Sequence, residues 1–167
     1  MIKLPSERKH RLNKGFMRNF VFKLGLLILG TLLILQVLPV DRSNHEIDET
    51  KDFLLITEAP KEVVSIVKSS CYDCHSNHTV WPWYSYVAPV SWVVADHVEH
   101  GREELNFSEW KDYEFKRKDH KLEECVEAIE EGWMPDEGYV KMHEEANLTD
   151  EQRELLIAFF KNTRENL

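Results

Sequence analysis

The sequence predicts a small all-α domain carried behind an N-terminal transmembrane helix, and three observations predict it. An uncharged apolar run fills Leu24 to Val40, and apolar residues in the body recur at helical spacing. No segment alternates polar and apolar residues as a half-buried strand would. The expected division is a basic head over 1–19, an anchor over 20–40, a polar tether over 41–58 and one domain over 59–167.

Leu24 to Val40 is short for a span, which needs roughly 17–25 residues. Phe20, Val21 and Phe22 lengthen it, because Lys23 can snorkel to the interface. A cleaved signal peptide shares the basic start and apolar core. However, the run leaves through Gln36, Val37, Leu38, Pro39 and Val40 with no small-residue cleavage site, so an uncleaved anchor is expected. Of the chain's 21 basic and 30 acidic residues, seven and one lie in the first forty. The net charge of −9 therefore divides into +6 on the head and −15 on the body. The positive-inside rule keeps such a head in the cytoplasm. Residues 41–167 are then expected across a bacterial inner membrane, in the periplasm. A body this acidic repels phosphate, which argues against a nucleic-acid partner. Its charge serves solubility or steers a basic redox partner.

In the body, Pro60 suits a helix's first turn, and Val63, Val64, Ile66 and Val67 give that helix an apolar side running up to Cys71. A second helix is expected from Pro89, with Val90, Val93, Val94 and His97 or Val98 inward, closing at Gly101. Ser108 is placed to cap a short helix containing Trp110. Asp119 is placed to cap another, in which Leu122, Cys125 or Val126, and Ile129 recur before Gly132. The last helix has a capping box in Thr149 and Gln152, and its buried face is Leu155, Leu156, Phe159 and Phe160.

Cys71-Tyr72-Asp73-Cys74-His75 has the C-x-x-C-H spacing of covalent haem attachment. Two thiols on about one helical turn can each form a thioether with a porphyrin vinyl group, and the adjacent histidine reaches the iron. Export strengthens the reading, because bacterial attachment of this kind takes place outside the cytoplasm. Three other readings exist: a Cys71–Cys74 disulfide, a thioredoxin-like pair that lacks its βαβ context, and a zinc site with His75 and His78.

An electron-transferring haem needs a second axial ligand, and methionine raises its potential. Met134 follows an expected helix end in Gly132-Trp133-Met134-Pro135, where a loop stiffened by proline can present a thioether. Met142 suits core filling. His143 is the rival, giving bis-histidine ligation. Trp81, Trp83, Tyr84 and Trp92 are expected as packing or as a haem-pocket wall with donors for a propionate, which Arg102 could also pair. Cys125 reads as a buried free thiol.

These residues carry a resemblance. The stretch Cys71 to Thr79, Trp81-Pro82-Trp83-Tyr84-Ser85, Ala88 to Trp92, Gly101-Arg102, Leu105 to Trp110, Met134-Pro135, Tyr139, His143 and Ala146 to Thr149 resemble the bacterial haem-binding domain family of exported cytochrome-like proteins. The resemblance covers roughly 50–165. It implies one c-type haem per chain in a cytochrome-c-like helical fold, with the Met-Pro element supplying the distal ligand. Asp136 stands where many relatives carry a second proline. The expected function is a membrane-anchored carrier of electrons between redox proteins rather than an enzyme. The alternative is a haem-based sensor or a peroxidase-like protein whose distal ligand is displaced.

Overall fold

A computed structural model describes the backbone of residues 5–167. Residues 1–4 of the expected head lie outside it. Among the described residues every regular element is helical and there is no strand. The helices are α1 (Pro5–Leu35), α2 (Phe53–Ile56), α3 (Lys61–Ser70), α4 (Tyr72–His75), α5 (Val90–Glu104), α6 (Phe115–Glu130), α7 (Glu137–Met142) and α8 (Asp150–Glu165). Short 3₁₀ turns at Glu49–Lys51, Trp83–Tyr86, Phe107–Asp112 and Glu144–Ala146 join them.

α1 carries one stretch long and apolar enough to cross a membrane, Gly15–Leu35, and none of it is buried against the domain. The helix stops at Leu35, so Gln36–Val40 of the segment expected as anchor lie beyond it.

The segment expected as a tether over 41–58 is part of the domain. Its first half runs as an extended strap held to the domain by hydrogen bonds. Asn44 Nδ2 donates to the Thr79 carbonyl at 3.0 Å, Asn77 Nδ2 to that of Glu46 at 2.9 Å, and Arg42 Nη1 to that of Ser85 at 3.3 Å. Its second half folds into α2, capped by Asp52, and inserts Phe53 into the centre of the core at 0% exposure. The Phe53 ring lies 5.1 Å from Phe107, 4.8 Å from Trp110 and 5.9 Å from Phe160. Burying an aromatic ring among three others overrides the polar composition around it.

α6 and α8 pack side by side, α3 lies across α8, and Leu122, Leu156, Val63 and Val67 fill the space between them. α8 begins with the expected capping box: Gln152 N donates to Thr149 Oγ1 at 3.2 Å, and Thr149 N donates to Gln152 Oε1 at 2.9 Å. Other boundaries differ from expectation. α6 starts four residues before Asp119, which instead pairs with Arg164 across the helix pair. Asn106, not Ser108, caps the turn holding Trp110, since Asn106 Oδ1 accepts from Ser108 N at 3.0 Å. Gly132 does end α6, at a φ of 75° that glycine adopts without a Cβ penalty.

Candidate functional site

α3 breaks at Cys71, whose φ of −129° departs from helical values, and the chain re-enters a single helical turn at α4. His75 N then donates to the Cys71 carbonyl at 2.9 Å, so one turn presents Cys71, Cys74 and His75 together. Tyr72, between them in sequence, points the other way into the core. Its hydroxyl lies 2.9 Å from both carboxylate oxygens of buried Asp52, fastening the motif to the strap. Asp73 Oδ1 accepts from Val80 N at 2.9 Å and its Oδ2 from the Tyr139 hydroxyl at 2.7 Å.

α5 does not end at Gly101, as sequence suggested; it runs on to Glu104. The glycine serves close approach instead. A Cβ on it would stand 2.6 Å from the Cys74 carbonyl oxygen, so only a hydrogen fits where α5 crosses α4. That approach brings His75 Nδ1 within 2.8 Å of the Gly101 carbonyl and 3.1 Å of the Leu105 carbonyl. Both oxygens only accept, so Nδ1 carries the proton and the lone pair stands on Nε2. Burial holds the His75 pKa below its ordinary value and so favours neutral imidazole, the form that binds a metal. Burial also pushes the Cys71 thiol up to about 12 and the Cys74 thiol up to about 11, with Asp73 adding to the latter.

Cys71, Cys74 and Cys125 are all free, so the disulfide reading has no support here. Among the described residues no three His, Cys, Asp or Glu side chains converge on a metal position. His78 stacks on Tyr72 and faces Glu49, which leaves the zinc reading without a geometry.

Two adjoining cavities border the motif. One, of about 290 Å³, is lined by Cys71, Cys74, His75, His97, Met134 and Tyr139, among others. The second, of about 150 Å³, is lined by Cys71, His75, Phe107, Cys125, Met134 and Phe160, among others. Met134 therefore shares both with His75. It sits in the turn that leaves α6, where Trp133 N and Met134 N both donate to the Ala128 carbonyl, and it is 42% exposed.

His143 is held elsewhere. Its ring stacks on Tyr139 at 4.3 Å, its Nε2 is 2.6 Å from the Tyr84 hydroxyl, and its Nδ1 is 3.3 Å from Glu145 Oε1. It lines neither cavity.

A third cavity of about 460 Å³ meets the first at Cys74, His97 and Tyr139 and extends along Trp81, Trp83, Tyr84, Val90 and Val93. The aromatic residues divide there. Tyr84 and Trp81 line its wall, while Trp83 stands at its rim and is 74% exposed. Trp92 lines none of the three, so its expected pocket role is not seen. Arg102 is likewise displaced from that role, because its donors are taken. Nε donates to the Ser76 carbonyl at 2.9 Å, and Nη2 donates to Asn44 Oδ1 and Thr79 Oγ1, each at 2.8 Å. It clamps the strap to the loop after the motif.

Trp81 Nε1 is buried and has no hydrogen-bond partner. Trp81 lines the third cavity, which joins at Cys74 the first one, lined by both thiols and the neutral His75 imidazole; an orphaned N–H beside such connected space fits a large planar ligand with a carboxylate edge. A family model for the haem-binding domain matches residues 30–162. The chain belongs to that family. The match takes in the strap and α2, in keeping with their place in the fold. No curated protein and no solved structure matches the chain.

Sequence reasoning missed three parts of this site. Gly101 carries a signal that a helix stop also carries. Cys125 reads in the sequence as a buried free thiol, yet it lines the second cavity beside Cys71. Asp73, inside the motif, gave no local sign of its bond to Tyr139.

Proposed function

We propose that this haem-binding protein is a membrane-anchored, mono-haem c-type cytochrome that passes electrons on the periplasmic side of a bacterial inner membrane. The observation that carries the reading is the convergence of Cys71, Cys74, His75 and Met134 on connected apolar cavities. In this reading Cys71 and Cys74 would hold the haem covalently, as thioethers to its two vinyl groups. His75 would hold the iron through Nε2, its tautomer and ring plane fixed by the Gly101 and Leu105 carbonyls. Met134, which lines both cavities with His75, would be the second side chain to hold the iron. The bound haem supplies a one-electron couple, with iron alternating between ferrous and ferric states. The chain's contribution is to hold both ligands still, to shield the ring from water and to give the Trp81 N–H a carboxylate to bind. Gly15–Leu35 anchors the domain, and the basic head sets its orientation.

Acid–acetone extraction of denatured protein tests the covalent claim. Haem retained by the polypeptide supports it, and Cys71→Ser with Cys74→Ser should release it. Complete release from the wild type overturns it.

The exposure of Met134 favours one second reading, in which this ligand is displaced and the protein is a sensor or peroxidase-like. Ready binding of carbon monoxide by the ferrous wild type would select that reading.

A further inference from the structure

The apolar span Gly15–Leu35 has 21 residues, which at about 1.5 Å each reach about 31 Å, the thickness of a hydrocarbon core. Gln36 is the first residue past the end of α1, on the side away from the basic head. Its side-chain amide is bound twice to the backbone of Ala88 in the domain. Nε2 donates to the Ala88 carbonyl at 3.0 Å, and Ala88 N donates to Oε1 at 3.2 Å.

This pair fixes which part of the domain lies against the membrane. Val87 and Tyr86 are one and two residues from Ala88, hence within about 8 Å of it. Both are turned outward, at 44% and 58% exposure. Trp83, in the same 3₁₀ turn as Tyr86, is exposed further still, and Val37 and Leu38 beside Gln36 are also exposed. Arg42 closes the group. Its guanidinium stands 4.5 Å above the Tyr86 ring and donates to the Ser85 carbonyl, placing a fixed positive charge among the aromatics. Exposed Trp and Tyr next to a span, with an adjacent cation, match the composition of a membrane–water interface.

We infer that the face formed by Trp83, Tyr86 and Val87, with Val37 and Leu38, seats the domain in the headgroup layer of the bilayer that α1 crosses. The haem domain then stands on the membrane in one orientation instead of swinging on a tether. The inference rests on the anchor reading of α1.

The test uses the full chain in nanodiscs of phosphatidylcholine and anionic phosphatidylglycerol, with a nitroxide attached to Val87→Cys and, separately, to Glu154→Cys on α8. The parent chain treated with the same reagent sets the background. Collision with oxygen, which concentrates in lipid, is compared with collision with a water-soluble nickel chelate. The oxygen-to-nickel ratio at 87 should exceed that at 154 severalfold, and Gln36→Ala should lower it. Equal ratios at the two positions, in protein that stays with the membrane after an alkaline wash, overturn the seating alone. A label at 87 shielded from both relaxers marks a protein contact and also overturns it. Release of the unlabelled chain by the alkaline wash overturns the anchor reading itself.

Discussion

Gly101 approaches Cys74 so closely that a Cβ on it would lie 2.6 Å from the Cys74 carbonyl oxygen, while its own carbonyl accepts from His75 Nδ1. One residue therefore both makes room for the C-x-x-C-H motif and orients its histidine. Gly101→Ala must push α5 away from α4, and backbone cannot yield as a flexible side chain would. The expected loss is about 1–3 kcal/mol of stability, as for other overpacked sites. The His75 ring should also lose its fixed plane, which would appear as a broadened spectrum of the bound haem. A variant with wild-type melting and spectrum would show that the contact is slack.

Met134 and His143 separate just as plainly. Met134→Ala should abolish the far-red methionine–iron absorption band and lower the midpoint potential, because thioether ligation raises it. His143→Ala should leave that band in place, since both ring nitrogens of His143 already have partners outside the two cavities. The reverse pattern would make His143 the ligand and require the Tyr84 contact to break.

Much of this was legible because its signals are local. The C-x-x-C-H spacing, the Thr149–Gln152 capping box and the Val63, Ile66 and Val67 stripe each lie within about two turns of chain and depend on little else. Gly101 was ambiguous because glycine serves both helix ends and close approaches, and only the position of α4 decides between them. The strap hides its place in the fold for a related reason. Phe53-Leu54-Leu55-Ile56 is a run of four apolar residues among Asp48, Glu49, Lys51, Asp52 and Glu58, too short to show a period. What buries Phe53 is a set of rings from Phe107, Trp110 and Phe160, each more than fifty residues away. The chemistry of Arg102 alone suits a propionate, and the strap that captures it leaves no sign among its neighbours in sequence.

The strap's place in the fold yields its own test. Phe53→Ala removes a fully buried ring and should cost about 3–5 kcal/mol, the range for large-to-small core substitutions. A true linker would tolerate the change within a few tenths of a kcal/mol. Denaturant unfolding of the two chains under the same detergent conditions separates these outcomes by a wide margin.

The clamp between α6 and α8 predicts how stability depends on acid. Arg164 Nε donates to Asp119 Oδ1 at 2.6 Å and Nη2 to Oδ2 at 3.1 Å, while Nη1 reaches Glu123 at 2.9 Å. The hydrogen bonds from Arg164 hold the Asp119 carboxyl below its ordinary value of 3.8. With the folded pKa depressed, the unfolded chain binds the proton more readily. The contribution is therefore complete above the ordinary carboxylate value and is lost as pH falls through it toward the folded pKa. Wild type should be more stable than Asp119→Asn by a constant margin from neutral pH down to that value, and the margin should then shrink. A margin that persists unchanged into stronger acid would mean that Asp119 acts through packing and not through its charge. Added salt should narrow the margin at neutral pH as well, since the pair is open to solvent and screened there.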